Sequence, residues 1–148
     1  MHNNKATIGN RGMAWGVLIC CLFACGCDSG PKLIPVSGQV KIDGKPLETG
    51  VVMVWVKGYR PAAGAIGKDG RFELTTHSPG DGCVAGEHGV TVMSEKSLKG
   101  DATQFFIPPR YNDKKQSELN IIVDQPKDDW MIDLTWKGDS HSGPYIVK

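Results

Sequence analysis

The residues able to do chemistry fall into three groups. Cys20, Cys21, Cys25 and Cys27 crowd the N-terminus, while Cys83 stands alone in the rest of the chain. Without a second cysteine nearby Cys83 forms no internal disulfide, and it reads as a buried small residue rather than a reactive thiol. His77, Asp81, Glu87 and His88 fall within twelve residues, with His141 far off in the tail. No pair among them has a spacing that identifies a metal site, and turn chemistry explains Asp81 between its glycines, so no metal is assigned. The local signatures of serine and cysteine nucleophiles are absent, which leaves no catalytic residue and no cofactor to name. The third group is Phe105-Phe106-Ile107-Pro108-Pro109-Arg110-Tyr111-Asn112, an aromatic run inside an otherwise irregular stretch. Phe105, Arg110 and Tyr111 could contact a partner protein or a glycan through their planar groups. The competing and favoured reading has Phe106, Ile107 and Tyr111 folding back over the core, because exposed aromatic clusters are costly.

The elements that position these groups must be short and glycine-rich. The chain has 148 residues with 19 glycines and 9 prolines, a composition that favours strands joined by tight turns. Its length fits one domain. Lys5 and Arg11 lie in the N-terminal leader, and the 15 basic and 16 acidic residues of the remaining chain nearly cancel. A near-neutral domain with no basic stripe offers nothing to a phosphate backbone, so nucleic acid is excluded as a partner.

Lys5 and Arg11 lead into Met13 to Ala24, twelve residues without a charge. This is the plan of a secretory signal peptide, and the run is short for a membrane-spanning helix, which needs about 20 apolar residues. Its end, Leu22-Phe23-Ala24-Cys25-Gly26-Cys27-Asp28, resembles a bacterial lipobox, in which small residues precede a cysteine that is lipidated and becomes N-terminal. Cys27 follows Gly26 and is the predicted lipidation site; Cys25, with Leu22 three residues before it, is the alternative. Cleavage by an ordinary signal peptidase, with the cysteines as apolar filler, is the competing reading. Residues 1–26 are thus expected to be a lipoprotein signal peptide and 27–35 a tether of roughly 25 Å when extended. The protein is then exported and held by lipid to a membrane, at the periplasmic face or the cell surface, since more than one acyl chain anchors firmly.

From Val36 the pattern changes to period two. Val36 to Ile42 alternates, Asp43-Gly44-Lys45-Pro46 reads as a turn, and Gly50 to Lys57 is apolar throughout, as a strand covered on both faces would be, with Trp55 as core. Ala62 to Gly67 is a weak strand of small residues lying against something larger. Lys68-Asp69-Gly70 predicts a type I′ hairpin into Arg71 to Thr75, with Phe72 and Leu74 inward. A glycine loop over 77–86 leads to His88 to Met93, with Val90 and Val92 inward. Glu95 to Gln116 has no sustained periodicity. Leu119 to Val123 is a strand, and Trp130 to Trp136 gives the best alternation, as a last core strand. Residues 137–148 form a tail whose end either adds an edge strand or stays loose.

The stretches VSGQVKIDGKPLETGVVMVW, GKDGRFELTT and GDGCVAGEHGVTV resemble the carboxypeptidase regulatory-like, or transthyretin-like, modules of bacterial exported lipoproteins. Gly38, Val40, Asp43 to Leu47, Gly50, Val51, Asp69, Gly70, Phe72, Leu74, Gly86, Val90 and Val92 stand at matching places, and His88 occupies the usual tyrosine position. The resemblance covers residues 36–136 and implies an all-β, seven-stranded Greek-key β-sandwich of transthyretin-like or immunoglobulin-like kind. One enzyme group sharing that fold processes a purine breakdown product. Its C-terminal Y-R-G-S motif is missing from a chain that ends Gly143-Pro144-Tyr145-Ile146-Val147-Lys148, and a shared fold does not carry function with it. The leading expectation is a non-catalytic structural or interaction module at the cell envelope, ahead of a carbohydrate-binding module and then a hydrolase. Replacing both Cys25 and Cys27 by Ala should release the protein from membranes, as fractionation would show; continued membrane association of that variant would contradict lipid anchoring.

Overall fold

A computed structural model describes residues 30–148, so the predicted signal peptide and both candidate lipidation cysteines, Cys25 and Cys27, lie outside the described residues. The described chain is all-β, with several antiparallel sheets and one 3-10 turn, Pro109–Asn112. Two larger sheets face one another across a single apolar core in a sandwich-like arrangement. Thirteen short strands are present among the described residues: β1 Leu33–Ile34, β2 Val36–Ile42, β3 Lys45–Pro46, β4 Val51–Trp55, β5 Ala62–Ala65, β6 Arg71–Glu73, β7 Cys83–Val84, β8 Gly86–Met93, β9 Glu95–Ser97, β10 Thr103–Phe105, β11 Leu119–Val123, β12 Lys127–Leu134 and β13 Tyr145–Val147.

The first sheet has the order β11-β8-β4-β5, all antiparallel. In the second, β2 is central. It lies parallel to β12 on one side and antiparallel to β6 and then β3 on the other. Alternation decides what each strand buries. Val36 and Val40 of β2, Phe72 of β6 and Ile132 and Leu134 of β12 meet Val52 and Val54 of β4, Val90 and Val92 of β8 and Ile121 and Val123 of β11. At about 25 cal/mol per Å² of apolar surface removed from water, each such side chain contributes on the order of 1.5–3 kcal/mol. Strand β5 can be thin because it is crowded: a Cβ at Gly64 would meet the Glu73 carbonyl at 2.7 Å and the Phe72 ring at 3.2 Å. The Ala63–Thr75 bridge joins the two sheets along that border.

Several expectations change. The run from Gly50 to Lys57 is not covered equally on both faces: Val52, Val54 and Val56 are buried, whereas Val51, Met53 and Trp55 are half-buried on the outer side. Trp55 is therefore not a core residue. Its Nε1 donates to Thr91 Oγ1 at 2.9 Å, and the Lys114 ammonium lies 3.1 Å from the ring centroid. The two-residue type I′ turn belongs at Asp43-Gly44, where both residues have positive φ (47° and 79°) between the paired Ile42 and Lys45. At Lys68-Asp69-Gly70 only Gly70 has positive φ. There Gly70 N–H donates to Gly67 O and Gly67 N–H to Arg71 O, the longer hairpin loop that ends on a left-handed glycine.

The domain also begins before Val36. Leu33–Ile34 pairs with Cys83–Val84, and Ile34 is buried, so the free part of the expected tether stops near Lys32. The stretch 95–116 is not a structureless loop: it holds β9, β10 and the 3-10 turn. The chain end is an edge strand, β13, paired with β10. The strand expected from Trp130 to Trp136 runs instead from Lys127 to Leu134, with a register shift between Lys127 and Trp130 that presses the Trp130 backbone onto Gly38. Any side chain at Gly38 would collide with the Trp130 carbonyl. Gly38→Ala should thus lower unfolding stability by about 1–3 kcal/mol, read as a lower denaturant midpoint at unchanged slope.

Candidate functional site

Strand directions divide the molecule into two ends. At one end lie Val36, the β1–β7 pair, Gly86 and Val123; at the other lie Ile42, Met93, Leu134 and Val51. The first end is built for closure. Asp81 accepts hydrogen bonds from the backbone N–H groups of Thr76, His77 and Ser78 at 2.7, 2.8 and 2.7 Å. Burial pushes its carboxyl up, but these donors together hold it below the usual carboxylate range. Cys83 is fully buried, and burial pushes its thiol up to about 11, which keeps it an unreactive neutral thiol near neutral pH. His88, at the place where the resembling modules carry tyrosine, turns its ring back into the core side and donates from Nε2 to the Val84 carbonyl at 2.8 Å. His77 and Glu87 remain exposed, and His141 belongs to the opposite end of the molecule. Among the described residues no group of three or more His, Cys, Asp or Glu is placed to hold a metal.

The second end carries a cleft of about 920 Å³. Its apolar floor includes Leu47, Phe106 and Trp136, and Lys45, Lys68 and Lys96 stand around it, with Asp43 and Glu48 as the acidic members of the lining. The β2–β3 turn supplies Asp43 and Lys45, β9 supplies Lys96, and the segment after β12 supplies Trp136 and Ser142 to Pro144. Asp43 is engaged on both sides: its N–H donates to Leu134 O at 2.9 Å, and its Oδ1 accepts from the Thr135 hydroxyl at 2.7 Å.

The wall formed by residues 135–145 is held by the aromatic run singled out in the sequence. Arg110 donates to Thr135 O at 2.6 Å and Lys137 O at 3.0 Å, and its guanidinium lies 3.8 Å from an Asp139 carboxylate oxygen. Tyr111 is buried; its hydroxyl accepts from Thr135 N–H at 3.1 Å and donates to Thr135 O at 3.3 Å. Phe105 is half-buried and stacks on Tyr145 with ring centroids 5.3 Å apart, and His141 stacks on Tyr145 at 3.7 Å. Phe105, Arg110 and Tyr111 are therefore brought together on one segment of their own chain, where Arg110 and Tyr111 spend their polar groups on Thr135, Lys137 and Asp139. The three lysines and Trp136 of the cleft come from stretches far apart in sequence, and no local spacing marks them.

Comparison with protein-family models, with curated proteins and with solved structures finds no match to this chain.

Asp139 fastens the wall electrostatically. The backbone N–H of His141 is the main influence holding its carboxyl below the usual range; burial opposes this, and the His141 side chain and the Arg110 charge add to it. A carboxyl whose folded pKa lies below its unfolded value stabilises above the unfolded pKa, about 3.9, and loses that contribution as pH falls through the folded value. Asp139→Asn should therefore have a smaller drop in denaturation midpoint between pH 6 and pH 3 than the parent protein, as acid-series denaturant titrations would measure. An identical drop in both would remove Asp139 from this role.

Proposed function

We propose that this protein is an exported, lipid-anchored module with a non-catalytic interaction role at the cell envelope, attached through Cys27 or, as the alternative, Cys25. In this reading residues 36–136 form a Greek-key sandwich of the carboxypeptidase regulatory-like, transthyretin-like kind. The strand patterns around Val36 to Ile42, Phe72 to Leu74 and Val90 to Val92 support it. The observation that carries the functional reading is the position of the cleft. Strand β2 starts at Val36, just after the N-terminal attachment, and ends at Ile42, which lines the cleft. At about 3.3 Å per residue the two ends of that strand are some 20 Å apart. A tether at Lys32 thus leaves the cleft on the side away from the membrane.

A carbohydrate-binding role is the second reading, favoured by the Phe105–Tyr145–His141 stack at the same end of the molecule. A hydrolase is the third reading, and neither a nucleophile signature nor the Y-R-G-S motif of the enzyme group that shares the resembled fold supports it. In bacterial cells producing the full chain, a membrane-impermeant amine reagent should label Lys45, Lys68 and Lys96 once the outer wall is opened and before the inner membrane is lysed. Labelling only after lysis would place the domain inside the cell and overturn the proposal. Binding to purified cell-wall glycan, lost on replacement of Phe105 and Tyr145, would decide for the second reading.

A further inference from the structure

The cleft has a chemistry more specific than its shape. Lys45 and Lys68 are exposed, as is Lys96, and among the described residues none of the three lies within ion-pairing distance of a carboxylate. Of the two acidic residues in the lining, Asp43 is already bonded to Thr135 and Glu48 is exposed, so the lysines outnumber the carboxylates three to two. The cleft therefore presents three uncommitted ammonium groups around buried apolar side chains, Leu47 and Trp136, with Phe106 half-buried beside them. An apolar side chain flanked by carboxylates is well served here.

The backbone beside the cleft adds a second feature. Lys96 belongs to β9, the edge strand of the sheet ordered β13-β10-β9. Its partner β10 lies on one side only, and all three residues of β9 are exposed. An edge of this kind can accept an extended chain as an added strand, with main-chain hydrogen bonds giving affinity and alternate side chains giving specificity.

We infer that the cleft binds an extended acidic peptide segment of a partner protein, which adds along β9 and sets an apolar side chain on the Leu47–Phe106–Trp136 floor while its carboxylates meet Lys45, Lys68 and Lys96. The inference deepens the interaction role proposed above. Membrane anchoring fixes only the direction from which the partner arrives; binding itself is independent of it, so the test uses the full chain purified in a nonionic detergent.

The probe is a capped, fluorescently labelled heptapeptide with glutamate at positions 2 and 6, valine at position 4 and threonine elsewhere, so that all three share one face of an extended strand; its binding is followed by anisotropy. It should bind, and it should bind about ten-fold more weakly when its glutamates are replaced by glutamine. Raising the salt from low to high ionic strength should weaken it by a comparable factor, since exposed charges are screened. Methylating alternate backbone amides of the peptide should also weaken binding, because this removes the donors that strand addition needs. The K45Q/K68Q/K96Q variant should lose about ten-fold in affinity with an unchanged melting temperature, since exposed substitutions of this kind shift stability little. Absence of binding, equal binding of the glutamine peptide, indifference to amide methylation, or full affinity in the triple variant would each overturn the inference. None of these results bears on whether the protein is exported or lipidated, so failure here is distinguishable from failure of the envelope reading.

Discussion

The fold depends on the parallel pairing of β2 with β12, which joins the first long strand of the domain to one that begins some ninety residues later. Parallel neighbours cannot be linked by a hairpin, so everything between them has to be placed elsewhere in the fold. Here that intervening chain forms the entire opposite sheet. The Phe72 ring, set against β2, meets the Trp130 ring of β12 edge to face at 5.6 Å across the Gly38 position. Glycine at residue 38 is thus a condition of the pairing, because the bulged β12 backbone takes the space a side chain would need.

Around that pair the two ends of the molecule have been solved differently. The end near the N-terminus is sealed by short-range polar bonding, with Asp81 gathering three backbone donors and the Thr76 hydroxyl donating to Gly82 O at 2.7 Å. The opposite end is held by long-range ties, from Arg110 to residues 135–139 and from Thr135 to Asp43. A short-range seal encloses; long-range ties hold separate segments apart as walls. The cleft follows from the second solution.

What the sequence disclosed follows from the length of each element. Val36 to Ile42, Phe72 with Leu74, and Val90 with Val92 were legible because alternation over several residues is itself the signal of a half-buried strand. Pairs such as Leu33–Ile34 with Cys83–Val84, and strands of three residues such as β9, β10 and β13, are too short to show a period, and their partners are distant. An unbroken apolar run such as Val51 to Val56 hides which face points outward, and Trp55 lies on the outer one, with the Lys114 ammonium over its ring. The two Asp-Gly turns look alike in sequence, and only the pairing of their flanks separates a two-residue turn from a longer loop. The aromatic run at 105–112 was visible as a feature. That its arginine would grip the carbonyls of 135 and 137 was not, because nothing near Thr135 announces an acceptor. The cleft lysines were invisible for the same reason.

The strand directions also carry a mechanical meaning. The N-terminus enters at the Val36 end of β2, and the cleft opens at its Ile42 end. Tension between those two points runs along the strand axis and loads the β2–β12 ladder in shear, so that its rungs share the force and yield together. The two-residue β1–β7 pair lies outside that ladder and would peel first, freeing a few residues while the two larger sheets stay intact. Forced unfolding is governed by the barrier to opening, and this geometry places the weak element in front of the strong one.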